Sequence, residues 1–223
     1  MLATGNFIIF LEVPKDITGG QQKFLAFDIG RSKAMANPDT QELRNFLIQH
    51  EGMSLVPRPD PSQTPITPDK TIAGPKPRRT IGIGRNIDET GFTVDEEVFL
   101  RDRAFRRGQP FRDIEVDGIT TEEALTLLGN DIQSRSEDIR RAVPDFDDLA
   151  PAQQAALISL HFTTGTRGFR GFKEMIKAIN KKDFKTAKRE FLDSKRVKQK
   201  QVGPDRFQAE ASMLESGLFP SVK

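Results

Sequence analysis

A chain of 223 residues, 36% hydrophobic and 30% charged with a formal net charge of +2, is long enough to bury a substantial core and too apolar to stay disordered throughout. The absence of cysteine rules out disulfides and thiolate metal sites, and the only histidines, His50 and His161, leave no histidine metal cluster. No metal and no cofactor is therefore expected.

In chain order, Asn6 to Val13 and Gln22 to Ile29 are rich in strand formers and flank the turn-forming segment Pro14 to Gly20, a pattern that predicts a β-hairpin. The apolar run from Phe7 to Leu11 is too short to cross a bilayer and no basic stretch precedes it, so neither a signal peptide nor membrane insertion is expected. The hairpin is either a strand pair packed on the main domain or a docking element for a larger assembly. Residues 30 to 36 read as a linker, giving an extension over 1–36 and a main domain over 37–223.

Asn37 as N-cap, Pro38 at the first helical position and, alternatively, the capping pair Asp39 and Glu42 predict a helix starting near 37 to 39. Its apolar stripe is Leu43, Phe46 and Leu47, and Gly52 ends it. Glu51 then stands in the last turn, where the negative end of the helix dipole disposes an acid to keep its proton, as a general acid must. A solvated surface glutamate is the plain alternative. Seven prolines between Pro57 and Pro77 predict a loop without helix or long strand; it is either a rim over a cleft or a tolerated surface insertion. Thr80-Ile81-Gly82-Ile83-Gly84 reads as a short strand whose glycines mark a close approach, and Arg85 to Gly91 as a return to Phe92 to Val94. Helices are expected at 94–107, from Thr120 with its capping partner Glu123 to about Val143, and at 151–164, 171–181, 183–194 and 205–216, the last capped by Gly217. These elements predict an α+β fold with a β lobe at about 53–95 and a helical lobe at about 96–223. His161, among Leu157, Ile158, Leu160 and Phe162, is expected in the core.

The most specific stretch is Glu51, Asp60 nine positions on, and Thr80 opening the TIGIG segment. Two carboxyl groups of this kind serve glycoside hydrolysis, one protonating the leaving oxygen and one acting on water or on the sugar. With these residues, with Gly118 to Ala124, with Ala156 to Gly165, and with Pro204, Arg206 and Gly217 in register, the chain resembles the phage-type lysozymes over about four fifths of its length. The resemblance implies a lysozyme-like fold and a muramidase acting on bacterial peptidoglycan. It assigns Glu51 as the acid, Asp60 as the group that positions or activates water, and Thr80 as its helper; Gly82, Phe162 and Thr163 would line the substrate site. Rival readings are a lytic transglycosylase and a non-catalytic wall-binding or structural virion component.

The chain departs from the family at several points. Nineteen residues, 61 to 79, separate Asp60 from Thr80, a longer gap than usual, which leaves Asp69 open as the second carboxylate. Arg85 stands where the family usually has histidine and Thr163 where it has an amide. With no Trp and no Tyr, any flat face for a sugar must come from the seventeen phenylalanines. From Arg167 to Lys200 thirteen Lys or Arg face four Asp or Glu, a net of +9. Such a lobe either steers the protein to an anionic surface or forms the solvated faces of amphipathic helices. No stacking aromatics interleave with it, so no specific nucleic-acid partner is expected. Residues 1–36 are the candidate contact to phage tail or baseplate proteins. The expected location is the virion tail, or the host cytoplasm before release to the cell wall.

Overall fold

A computed structural model of the chain describes residues 37–59, 78–110, 113–194 and 204–220. The expected hairpin at 1–36, Asp60, Asp69 and most of the proline-rich loop lie outside the described residues.

Helix α1 spans Gln41–Glu51 and starts later than the capping pattern predicts. Asn37, Asp39 and Thr40 can all cap a helix, and it is the Thr40 hydroxyl that accepts from the Leu43 amide. Asp39 instead pairs with Arg44 at 2.6 Å. The stripe is as expected, with Leu43, Phe46 and Leu47 buried, and the Gly52 N–H closes the helix on the Ile48 carbonyl.

The sheet differs from the expected one. It has three antiparallel strands in the order β1 (Ser54–Pro59), β2 (Arg79–Gly82) and β3 (Arg85–Asn86). Ser54 pairs with Gly82, Arg58 with Thr80 and Pro59 with Arg79, while Thr80 and Ile81 pair with Asn86 and Arg85. Thus β1 runs on into the segment expected to be loop, through Pro57 and Pro59. Prolines 57 and 59 are tolerated because β1 is an edge strand, where a missing N–H breaks no inner ladder, and its register is irregular between Ser54 and Arg58. Phe92 to Val94 is not a strand: Thr93 caps helix α2 (Val94–Arg106) in a reciprocal box with Glu96.

A short helix α3 (Ile114–Asp117) leads to α4 (Thr121–Ala142), which the Thr120–Glu123 capping box opens as expected. At 22 residues, α4 is about 33 Å long. Its first turns carry the sheet, with Gly82 packed against Ile119 and Ala124, and its later turns bury Leu127, Leu128, Ile132 and Ile139 in the helical core. Helix α5 (Pro151–Phe169) runs past the expected end but breaks at Gly165, whose φ of 63° and ψ of 174° are not helical. Ala155, Ala156, Leu157, Ile158 and Leu160 are all buried, which makes α5 the central helix, packed on α4 and on α8 (Pro204–Ser216). Helices α6 (Lys173–Asn180) and α7 (Phe184–Leu192) form a hairpin beside them. The Phe172, Phe191 and Phe207 rings join α7 to its neighbours edge to face, with centroids 5.7 and 5.6 Å apart, each fully buried ring stabilising the lobe by roughly 1.5–3 kcal/mol. Among the described residues no helix is long and apolar enough to cross a membrane.

Candidate active site

Glu51 stands where three parts of the chain meet. Helix α1 presents it in its last turn, the β2–β3 turn passes beside it, and α8 reaches it through Arg206. One Arg206 nitrogen, Nη1, donates to Glu51 Oε1 at 2.6 Å. The rest of that guanidinium is fixed by Glu210 Oε1 at 3.1 Å, the Ser159 hydroxyl at 2.9 Å and the Ser159 carbonyl at 3.2 Å. Arg206 is itself buried, so its four-fold anchoring holds the Glu51 carboxyl in one orientation. The other oxygen, Oε2, makes no hydrogen bond among the described residues and lies against Gly84, where a Cβ would stand 2.8 Å from it. Gly84 has φ +69°; the turn therefore needs glycine both for its backbone and for the carboxyl's room. With its side chain 21% exposed, Glu51 is lodged in the protein rather than solvated on a surface, with one oxygen clamped and one free.

Deeper in this polar layer, burial pushes the Glu210 carboxyl up to about 7, against the lowering pull of Arg206 and the Ser159 hydroxyl. Its Oε1 accepts from Ser159 at 2.5 Å while its Oε2 has no partner.

The other expected site residues fall into place unevenly. Thr80 sits half-buried in the middle strand between Arg58 and Asn86. Pro59, the residue before Asp60, pairs with Arg79, next to Thr80; Asp60 and Asp69 themselves are outside the described residues. Gly82 turns toward Ile119 and Ala124 of the helical lobe. Phe162 and Thr163 lie half-buried on α5 just before its break at Gly165. The Thr163 hydroxyl donates to the Ser159 carbonyl of its own helix at 3.1 Å.

Two charged groups flank this site: Arg85, whose partners the sequence did not disclose, and Arg135, which it did not single out. Arg85 is 4% exposed and donates through both terminal nitrogens to Glu96, at 2.8 and 2.9 Å. Asp131 stands 3.6 Å away, and Asn130 also donates to Glu96, at 2.9 Å. Burial pushes the Glu96 carboxyl up, but the hydrogen bonds from Arg85, Asn130 and the Thr93 amide outweigh it and hold it below the ordinary carboxylate range. Burial raises Asp131, with Arg85 and Arg135 opposing. The second group is Arg135, whose guanidinium lies 3.9 Å from the centroid of the Phe162 ring. Thr93-x-x-Glu96 was a readable capping signal, and the spacing of Asp131 and Arg135 put both on one face of α4. No local pattern disclosed their partners.

His161 is buried, as expected. Burial, then the Arg135 charge, pushes it down to about 4 despite Asp138, whose Oδ2 is 3.5 Å from Nε2. The unfolded imidazole takes up its proton near its ordinary value of 6.5 and the folded one only near 4. Acidification through that window therefore favours the unfolded chain. Compared with a His161→Gln variant at each pH, the wild type is expected to lose on the order of 2 kcal/mol more stability between neutral pH and pH 4. Chemical denaturation of both proteins across the range checks this, and parallel pH profiles would contradict it.

A small antiparallel sheet, a long helix bridging it to a helical lobe, and a lodged carboxyl at their junction define the α+β lysozyme-like class. The model of the phage lysozyme family matches residues 49–204, and the chain belongs to that family. Membership supports a peptidoglycan hydrolase in general. No individual curated protein matches the chain.

Proposed function

We propose that the chain is a muramidase, hydrolysing the β-1,4 bond from N-acetylmuramic acid to N-acetylglucosamine in peptidoglycan. The observation that carries this reading is the division of labour in the Glu51 carboxyl: Oε1 is held by Arg206, and Oε2 is unengaged beside the Gly84 turn. An acid so oriented protonates the glycosidic oxygen through Oε2 as the bond to the sugar breaks. Asp60, with the Thr80 hydroxyl, directs a water to the opposite face of the sugar and takes its proton. The product is then an inverted reducing end, provided the carboxyl groups stand far enough apart to admit the water. Gly82, Phe162 and Thr163 contribute to the substrate wall. The catalytic unit is residues 37–223, and residues 1–36 are the element by which such an enzyme is carried on a phage tail or baseplate; without that contact it acts as an endolysin released from the host cytoplasm.

The second carboxylate is tested by removing each candidate. Asp60→Asn is expected to lower turnover of purified peptidoglycan by about 10²–10⁴-fold, with Asp69→Asn close to wild type. The opposite ranking would transfer the role to Asp69, and full activity in both would remove the water-directing carboxylate from the mechanism. Wild-type protein that binds insoluble peptidoglycan without releasing soluble fragments would replace the enzyme by a wall-binding virion component.

A further inference from the structure

Arg135 carries a charge that no described residue balances by direct contact. It projects from α4 onto α5, where its guanidinium lies over the Phe162 ring, 3.9 Å from the centroid. Its Nε is buried without a partner, and Nη1 faces His161 Nδ1 at 3.4 Å. Among the described residues it forms no ion pair, and Nη2 donates no hydrogen bond. The nearby charges that act on it, Asp131 first and then Glu51, act without contact. A neutral imidazole and a phenyl face are weak compensation for a largely desolvated cation, since buried charges are ordinarily paired or hydrogen-bonded to a counter-charge. By contrast Arg85 and Arg206, the buried arginines among the described residues, are each matched to carboxylates at hydrogen-bond distance.

We infer that Arg135, seated on Phe162 beside the Glu51 site, is a carboxylate-binding residue that takes an acidic group of the incoming glycan strand. This rests on the muramidase reading, in which Phe162 lines the substrate. Peptidoglycan carries carboxylates on its peptide stems, whereas a polymer of N-acetylglucosamine alone carries none. The guanidinium, held over the ring with its central carbon 3.9 Å from the centroid, offers Nη2 to such a group as a charge-assisted donor. Arg135 thereby selects peptide-bearing wall over neutral glycan. The acid at Glu51 cleaves; the cation at Arg135 recognises.

The test is a two-by-two comparison of protein and substrate. Purified peptidoglycan is used intact or with its carboxyl groups converted to amides, and binding by co-sedimentation is measured alongside turnover for wild type and Arg135→Gln. Amidation is expected to weaken wild-type binding about tenfold or more, as for loss of a charge-assisted hydrogen bond. The Arg135→Gln variant should bind both forms about equally weakly. Arg101→Gln, at an exposed position on α2, should keep the wild-type dependence, and Arg135→Lys should keep part of it. Removing an unpaired cation should leave the melting temperature unchanged or raise it, whereas a merely structural arginine would lower it. Equal sensitivity to amidation in wild type and Arg135→Gln, or none in wild type, overturns the inference. Carboxylate-dependent binding without turnover would instead sink the muramidase reading and leave Arg135 as an anion site.

Discussion

Glu51→Gln is expected to reduce hydrolysis of peptidoglycan by about three orders of magnitude or more, the upper range for loss of a positioned proton donor. The substitution changes almost nothing in shape. The amide oxygen can still accept from Arg206 Nη1, now at 2.6 Å from Oε1, and Gly84 still leaves room beside the second atom. What it removes is the transferable proton. The variant should therefore unfold cooperatively and still sediment with insoluble peptidoglycan. A variant that retains turnover would move the acid elsewhere.

The largest effect on stability is expected at Arg85. Replacing it by Met keeps much of the volume but leaves Glu96 and Asp131, 3% and 6% exposed, without the guanidinium that stands 2.8 Å from one and 3.6 Å from the other. Stripping one partner from a buried pair costs about 3–5 kcal/mol, or roughly 10 °C or more in melting temperature for a chain of this size. The sign of its pH dependence follows from Glu96, held below its ordinary value of 4.5. In the wild type the stabilisation is complete above that value and is lost as the pH falls through the lowered one. Arg85→Met has less of it to lose, so the deficit should be widest at neutral pH and narrow in acid. A uniform deficit at all pH values would mean that Arg85 acts through packing alone.

These two sites also mark what a linear reading can reach. The helices were legible wherever caps and stripes are local: Thr120 with Glu123 opens α4, and Leu43, Phe46 and Leu47 orient α1. The start of α1 was misplaced because Asn37, Asp39 and Thr40 all offer caps within four positions and only the Thr40 hydroxyl meets the right amide. Strand β1 was hidden because prolines 57 and 59 signal loop, and their tolerance depends on β1 being at the sheet's edge, a property of topology. Glu51 was legible from its position at the end of α1. Its partner Arg206 is 155 positions away, and apart from an arginine in family register no local pattern signalled that α8 would lodge against it. Arg135 was invisible for the same reason, since its environment is made by Phe162 and His161 on another helix.

Mass spectrometry of the fragments released from purified peptidoglycan tests the central claim most directly, because it reads the bond cleaved and the fate of water together. The account predicts fragments ending in reducing N-acetylmuramic acid with the wild type and none with Glu51→Gln. Anhydromuramic ends would show that no water is added, and fragments with intact glycan strands or no soluble product at all would contradict glycan hydrolysis at Glu51.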